Sequence, residues 1–466
     1  MTTPEAPPSA SRWLEPLLAL IVAGGVVWAG YHWITEGFLP QPFFYEPFDI
    51  WADWFNTAYW ARDPGTYDTW RTIYPPLSFV FLQMFGLEHC YPIATGTDPS
   101  AGLMARGCDW LGYVTLHAFF LINAVLVYRI YKKIDPRSAP WRAFALAAGL
   151  PMLDGLERGN LIIVSFTCLV LAYGPLLRSA RLRWVFAGLA INFKVYLIAA
   201  LFPLLLRRKW RWVEGALVAT VMIYLLSYAW LGRGTPKEIV DNILSFNDQL
   251  GAAQLLDLWY ATTYRALLSL LGSSNFPMMD IIGSRNVDLL LVLIPAIQYT
   301  VQASLIAAAV AIWLRPEVVP LYRVINIGLM LALITSEAGG YTQAYFIFFI
   351  FMERWKGFGI KWAIVAAYVL SIPLDIPLDR SLPVVRPAYF PNTTIIVNYY
   401  IMLGPFVRPL IVLTIAFAIA CATLRTVWLD SRANGWRDRW RFAPDVTPRV
   451  TDAALDGQAA ASADAR

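Results

Sequence analysis

A polar, aromatic-rich stretch interrupts an otherwise apolar chain near its N-terminus. It carries two acids four residues apart, Asp49 and Asp53, which would share one face if residues 49–60 formed a helix. A carboxylate placed beside a substrate can take a proton from a hydroxyl nucleophile. Most carboxylates on a loop are only solvated, however. The neighbouring aromatic residues are equally typical of interfacial anchors on a membrane-bound helix, namely Trp51, Trp54, Tyr59 and Trp60.

Three polar breaks interrupt apolar runs further along the chain, at residues 153–160, 190–196 and 335–343. The first contains Arg158 and the second contains Lys194. A charge near the bilayer centre costs about 2.5–3.5 kcal/mol on insertion scales, which makes each cation a functional candidate. Two cations in one cavity would suit a phosphate or a phosphodiester, because charge-assisted hydrogen bonds are the strong ones.

Structural roles for these charges stay open at this level. Arg158 could pair with Glu157 or Asp154 as a structural lock, or it could hold an anionic headgroup. Lys194 could extend its ammonium group to the membrane interface. The Gly339-Gly340 pair is first of all a flexible turn.

One reaction would use these parts together. A carboxylate facing the cations could activate a hydroxyl, while aromatic side chains pack against a sugar ring. A lipid phosphate leaving group needs no general acid, since cations can stabilise its developing charge. One carboxylate is then sufficient, in contrast to the paired carboxylates of most glycoside hydrolases.

The composition indicates a polytopic membrane protein. Of 466 residues, 58% are hydrophobic and only 15% are charged, whereas soluble proteins carry about 25% charged residues. The net charge of +5 gives no indication of nucleic-acid binding. Three His and four Cys argue against a dedicated zinc or haem site. We therefore predict no metal and no cofactor, with membrane lipids as partners.

The hydrophobic pattern predicts an all-α fold of about twelve segments, several of them short or broken, with amphipathic helices in the first outside loop. A short apolar run can pair with another as a hairpin of half-length helices, and a broken backbone at membrane depth must be buried in protein or line a wet cavity. The predicted segments lie near 13–35, 110–131, 143–153, 161–178, 184–193, 195–206, 212–231, 286–314, 322–336, 343–353, 360–374 and 400–425.

The distribution of basic clusters predicts the orientation. Placing them in the cytoplasm satisfies the positive-inside rule and puts both termini inside, with the protein in the cell inner membrane. We predict one transmembrane domain over 12–428, a disordered N-terminus over 1–11 and a cytoplasmic tail over 429–466 that is disordered toward its end.

The same orientation bears on the cysteines. Cys90 and Cys108 would share one outside loop, where an oxidising compartment would allow them to pair. The sequence leaves that pairing open. Cys168 and Cys421 are predicted to be buried thiols.

Several short motifs resemble one family when taken in order. The chain resembles the polyprenol-phosphate-dependent integral-membrane glycosyltransferases of the C-type fold, most closely glycosyltransferase family 87. No single motif is specific, and their order and topology carry the resemblance. The motifs are Phe-Asp-Ile-Trp around Asp49, Tyr74-Pro75-Pro76, Gly159-Asn160 after a short helix, Lys194 in an apolar hairpin, and Gly-Gly-Tyr at 339–341.

The resemblance implies transfer of one sugar, often mannose in this family, from a polyprenyl-phosphate donor. The acceptor would be a hydroxyl of a lipid or polysaccharide, and transfer would invert the anomeric centre on the extracytoplasmic face. The resemblance implies Asp49 as the base, with Asp53 as the alternative, and phosphate contacts from Arg158 and Lys194. Further substrate contacts are expected from Tyr74, Glu157, Asn160, Tyr341 and Gln343.

Other functions share parts of this pattern. A transporter or flippase for a polyprenyl-linked glycolipid would show the same hydrophobicity and cations, but it would need no base and would more often show internal repeats. A polysaccharide polymerase would typically place paired Arg residues in large outside loops, where this chain has scattered acids. A purely structural membrane protein is disfavoured by Glu157, Arg158 and Lys194.

Overall fold

A computed structural model describes residues 11–43, 46–91, 98, 100–250, 260–271, 282–378, 382–389 and 393–435. The predicted disorder over 1–11 and toward the end of 429–466 lies outside these ranges, except for Ser11, which begins the first helix. Within them the chain is nearly all α-helical, which confirms the predicted class. The helices are α1 (Ser11–Glu36), α2 (Ala52–Arg62), α3 (Pro76–Met84), α4 (Trp110–Ile134), α5 (Ala139–Ala147), α6 (Leu150–Glu157), α7 (Ile162–Tyr173), α8 (Ala180–Phe193), α9 (Pro203–Leu206), α10 (Trp210–Leu231), α11 (Pro236–Leu250), α12 (Arg265–Leu271), α13 (Ser284–Leu314), α14 (Leu321–Thr335), α15 (Gln343–Ile350), α16 (Phe358–Leu370) and α17 (Gly404–Asn434).

Five of these helices are long and apolar enough to cross a membrane, namely α1, α4, α10, α13 and α17. A span needs about 20 apolar residues to cross the hydrocarbon core, so the shorter helices cannot cross alone. The predicted segments of 143–153 and 195–206 are each divided. The first becomes α5 and α6, and the second becomes a 3₁₀ helix, Val195–Ala200, followed by α9. The short helices therefore pack in the interior of the helix bundle.

Two short helices, α7 and α15, form the centre of the bundle. Every residue of α15 is buried, as are nearly all residues of α7. Their neighbours supply polar partners, since Asn123 Nδ2 donates to the Ile163 carbonyl at 2.8 Å and Tyr131 Oη donates to the Phe348 carbonyl at 3.0 Å. Such contacts satisfy backbone groups of short helices away from water.

The two ends of the bundle differ. We call one the loop end, which carries the described residues of 37–109 and 371–403. The other is the basic end, which carries the connections after α4, α7, α9 and α15. Helix α4 begins at the loop end with Trp110 and finishes at the basic end with Lys132, Lys133 and Ile134.

A two-stranded sheet at the loop end was not predicted. Strands β1 (Leu382–Pro387) and β2 (Thr394–Tyr399) pair antiparallel, with Leu382 opposite Tyr399. The segment of β2 contains Ile, Val and Thr, which favour strands. The base of the hairpin is docked on the first loop, because the Gln41 side chain both donates to and accepts from the backbone of Tyr400.

Helix α2 is enclosed by protein. Trp54 is 0% exposed and Tyr59 is 3% exposed, so their interpretation as interfacial anchors is wrong. The helix packs against α3 and a 3₁₀ helix, Ala101–Gly107. A Cβ at Gly102 would meet the Phe55 carbonyl oxygen and the Asn56 Cα, which shows how close the two backbones are.

The cysteines divide into one bonded pair and two free thiols. Cys90 and Cys108 form a disulfide at the loop end, which answers the question that the sequence left open. Cys168 is buried, as predicted, whereas Cys421 is exposed. The prediction for Cys421 was wrong because this residue of α17 lines an open cavity at the basic end.

Buried ion pairs hold the basic end together. Arg142 donates to both carboxylate oxygens of Glu15, each at 2.8 Å, and to the carbonyls of Phe351 and Glu353, each at 2.7 Å. Arg323 forms a second buried pair with the Glu353 carboxylate, with Nη2 at 2.6 Å from Oε2. These contacts join α1, α5, α14 and the segment after α15.

The Glu15–Arg142 pair gives a stability prediction. In Glu15→Gln the buried Arg142 loses its counter-charge, so we expect the free energy of unfolding to fall by about 3–5 kcal/mol. The measurement is denaturant unfolding of the purified protein in detergent, followed by tryptophan fluorescence. Glu36→Gln, at the exposed opposite end of α1, is the control and should be neutral. A Glu15→Gln protein as stable as wild type would contradict the role of the pair.

Candidate active site

The first loop and the end of α6 meet through one arginine. Arg158 Nη1 donates to Asp49 Oδ2 at 3.2 Å, and Nη2 donates to Asp53 Oδ1 at 2.9 Å. The two candidate acids and one candidate cation are therefore brought together across more than 100 residues of sequence. The predicted alternative, a lock confined to Arg158, Glu157 and Asp154, does not describe these contacts.

The backbone that carries the two acids is not one continuous helix. Asp49 closes a 3₁₀ helix, Pro47–Asp49, and α2 begins only at Ala52. Trp51 between them has a φ of 61°, in the left-handed region that interrupts a helix. Residues 49–60 are thus not one helix, and the two carboxylates converge because both meet the Arg158 guanidinium.

Main-chain hydrogen bonds dock this loop onto the end of α6. The Trp51 N–H donates to the Glu157 carbonyl at 2.7 Å, and the Asp53 N–H donates to the Arg158 carbonyl at 3.0 Å. Gly159 permits the close approach, because its φ is +65° and a Cβ there would lie 3.1 Å from the Trp51 Cα. The loop position is therefore determined by backbone contacts as well as by charge.

Asn160 holds the second acid. Its Nδ2 donates to Asp53 Oδ2 at 2.6 Å, and its Oδ1 accepts from the Ile162 N–H at 3.0 Å. The amide is fully buried. It thus links the carboxylate of Asp53 to the first turn of α7 and keeps its orientation.

The two acids differ in what remains available to a ligand. Both oxygens of Asp53 accept hydrogen bonds, one from Arg158 and one from Asn160. Asp49 accepts from Arg158 through Oδ2 only, and among the described residues no donor reaches its Oδ1. Asp49 also has the more exposed side chain, at 30% against 24%. Geometry therefore separates two acids that only the family resemblance had ranked.

Lys194 lies between two tyrosine rings just after α8. Its Nζ is 4.5 Å from the centroid of Tyr74 and 5.8 Å from that of Tyr341, and it donates to Tyr74 Oη at 3.5 Å. The residue is only 7% exposed, and no described carboxylate forms an ion pair with it. Burial raises the pKa of Tyr74, so this hydroxyl stays protonated. A buried cation without an acid partner can accommodate an anionic ligand.

Two other predicted residues have buried polar groups without partners. Both carboxylate oxygens of Glu157 and both side-chain polar atoms of Gln343 lack a hydrogen-bond partner within the described ranges. Buried polar groups are normally hydrogen-bonded. These two are therefore candidates for contact with a polar ligand. Tyr341 lies close to α6, because a Cβ added at Gly155 would lie 3.7 Å from the Tyr341 Cβ.

The third polar break is organised by an acid that was not predicted as a site residue. The Glu337 carboxylate accepts hydrogen bonds from the N–H groups of Thr262, Thr263 and Gly339 at 3.1, 2.8 and 2.9 Å. Its charge is used within the protein to join residues 260–265 to the turn before α15. The same turn positions Tyr341.

An aromatic wall beside Asp49 was missed by the sequence. Arg106 Nη1 donates to the Ile50 carbonyl at 2.9 Å, and its guanidinium lies over the rings of Phe48 and Tyr389. Trp51 makes edge contacts with Tyr113 and Tyr389, at centroid distances of 4.7 and 5.6 Å. No spacing in the sequence signals this wall, because its members come from the first loop, α4 and the hairpin.

No metal site is indicated by the described residues. One group of three potential ligands lies close together there, His89, Cys90 and Cys108, and its two sulfurs are used by the disulfide. At the site itself, Arg158 occupies the position between the two acids where a cation would sit.

The model of glycosyltransferase family 87 matches residues 72–336, which is more than half of the chain. This segment contains Tyr74, Arg158 and Lys194, whereas Asp49 and Asp53 precede it. No curated protein and no solved structure matches the chain.

The docking of the first loop gives a structural prediction. In Gly159→Ala the side chain must occupy a left-handed conformation and contact the Trp51 backbone, so we expect a loss of about 1–3 kcal/mol in the free energy of unfolding. Denaturant unfolding in detergent measures it. Gly107→Ala, with nothing within 4 Å of the new Cβ, is the control. Equal stability of the two variants would show that the close approach at Gly159 is unimportant.

Proposed function

Because the chain belongs to glycosyltransferase family 87, we propose that it transfers a single sugar from a polyprenyl-phosphate donor to a hydroxyl of a lipid or polysaccharide acceptor. The donor sugar is a hexose, with mannose as the leading candidate from the family resemblance. The observation that supports this most is a carboxylate oxygen left available at Asp49, in the same site as a buried cation without an acid partner, Lys194.

In the proposed reaction, Asp49 is the general base. Its Oδ1 takes the proton of the acceptor hydroxyl, and the hydroxyl oxygen attacks the anomeric carbon of the donor sugar. The bond between that carbon and the phosphate oxygen breaks, and polyprenyl phosphate leaves with the electron pair. A single displacement inverts the anomeric centre. General bases of this kind contribute about 10²- to 10⁴-fold in rate.

Arg158 has two parts in this proposal. Its guanidinium holds Asp49 and Asp53 in place, which orients the base and offsets the repulsion between two neighbouring carboxylates. The same positive charge would face the donor phosphate. Asp53 and Asn160 then act as positioning residues, since both oxygens of Asp53 are used within the protein.

Lys194 is proposed as the main contact of the leaving phosphate. Its ammonium group is held between the faces of Tyr74 and Tyr341, which leaves hydrogen atoms available for a phosphate oxygen. Preorganised positive charge of this kind stabilises the charge that develops on a departing phosphate. No separate general acid is then required.

Sugar contacts are assigned to the remaining predicted residues. Glu157 and Gln343 offer buried polar atoms without described partners, which would suit sugar hydroxyls. The aromatic wall of Trp51, Tyr113 and Tyr389 would pack against the apolar face of a sugar or the first part of the prenyl chain.

The proposed orientation places the loop end on the extracytoplasmic side of the inner membrane and both termini in the cytoplasm. Two independent features support it. The basic clusters gather at the opposite end, as the positive-inside rule expects. The Cys90–Cys108 disulfide lies at the loop end, and disulfides persist in oxidising compartments.

The base assignment predicts a large kinetic effect. Asp49→Asn should lower turnover by about 10²- to 10⁴-fold with little change in donor affinity. The assay follows radiolabelled sugar from polyprenyl-phosphate mannose into a membrane lipid extract. Asp68→Asn, an exposed acid of the same loop, is the matched control. If Asp49→Asn transfers sugar at the wild-type rate, Asp49 is not the base and Asp53→Asn becomes the decisive variant.

The phosphate assignment predicts a binding effect. Lys194→Gln should weaken donor binding by about 10- to 100-fold, the value of a charge-assisted hydrogen bond of about 1.5–3 kcal/mol. Equilibrium binding of radiolabelled polyprenyl-phosphate mannose measures this independently of turnover. Lys237→Gln, an exposed lysine at the loop end, should bind donor normally. Unchanged binding by Lys194→Gln would remove Lys194 from this role.

A further inference from the structure

A large cavity lies at the basic end of the bundle, remote from Asp49. Its volume is about 1910 Å³, and it is lined by residues of α14, α16 and α17 together with the segment after α7. Lys133 on α4 lines it, whereas Trp110 begins the same helix at the loop end. The 23 residues between them correspond to about 35 Å at 1.5 Å per residue. The cavity is therefore separate from the site described above.

One end of this cavity is strongly positive. Its acid Glu353 is already paired with Arg323. Further exposed cations line it, and within the described ranges none of them forms an ion pair with an acid. They are Lys133, Arg178, Arg354, Lys356 and Arg425.

The cavity becomes apolar along α16 and α17. Its wall there includes Phe358 and Trp362 of α16 and Phe417 of α17. Phe417 and Thr414 also line a second, apolar groove of about 430 Å³ between α13 and α17, which reaches Leu410. From Arg425 to Leu410 is 15 residues, or about 22 Å of helix. Cations therefore lie at one end of a long apolar path.

We propose that this cavity binds an anionic phospholipid. The cations would hold the headgroup phosphate, and one acyl chain would lie in the groove between α13 and α17. Basic pockets between membrane helices are suited to anionic headgroups. The volume exceeds the roughly 300–1,000 Å³ of small-molecule pockets, as a lipid requires. A free phosphate would use the cations alone and would leave the apolar groove without a function.

Native mass spectrometry of the full-length protein in detergent tests this. We expect phosphatidylglycerol to be retained at least tenfold more tightly than phosphatidylcholine. The triple variant R178Q/K356Q/R425Q should lose this preference. The control triple R129Q/K132Q/R137Q neutralises three exposed cations outside the cavity and should keep it. A photoreactive phosphatidylglycerol should crosslink to α13, α16 or α17.

Several results would overturn the proposal. One is equal retention of the two lipids. Another is loss of the preference in both triple variants, which would indicate a general surface-charge effect. Glycerol phosphate that competes as tightly as phosphatidylglycerol would indicate a simple anion site. Lipid retention that appears only after deletion of residues 436–466 would indicate that the tail of this chain occupies the cavity.

Discussion

The contact between Arg158 and the two acids of the first loop is the interaction on which the site depends. Two carboxylates that approach each other repel unless a cation lies between them, and the Arg158 guanidinium supplies that cation. The backbone hydrogen bonds of Trp51 and Asp53 to the end of α6 form in the same region. The position of Asp49 beside the membrane helices therefore rests on the shared counter-charge together with these backbone contacts.

The bilayer imposes a second constraint, which explains the arrangement of helices. Long helices such as α4 and α10 can face lipid because their interior backbone groups are paired along the helix. Short helices expose unpaired ends, so α7 and α15 lie inside the protein, where side chains such as Asn123 reach their carbonyls. The same interior location allows polar breaks to exist at membrane depth. The candidate site is built from the ends of these short helices.

Charge is handled differently in the structural ion pairs and in the candidate site. At the basic end, Arg142 and Arg323 are buried and each is paired with a buried carboxylate, which offsets the cost of removing them from water. At the loop end, Lys194 is buried without an acid, and Asp49 keeps one oxygen available. Incomplete partnering is what distinguishes a candidate site from a structural ion pair here.

The predicted site residues could be selected from sequence because charge within apolar runs is rare and costly. Arg158 and Lys194 stand out for that reason alone. Their partners could not be selected in the same way. Arg106 and Tyr389 carry no local signal. Only the family resemblance ranked Asp49 above Asp53, and the contacts of Asn160 give a physical difference between them. The left-handed conformation of Trp51 also follows from the docking of the loop and not from its own sequence.

The sequence by itself determined the class of the protein and the position of its spans, because a helix needs about 20 apolar residues to cross a bilayer. It also determined which charged residues needed an explanation. Only the tertiary structure decided which of them meet, that Trp54 is enclosed, that Cys421 is exposed and that a hairpin covers the first loop. Those outcomes depend on contacts between residues far apart in the chain, for which local composition carries no information.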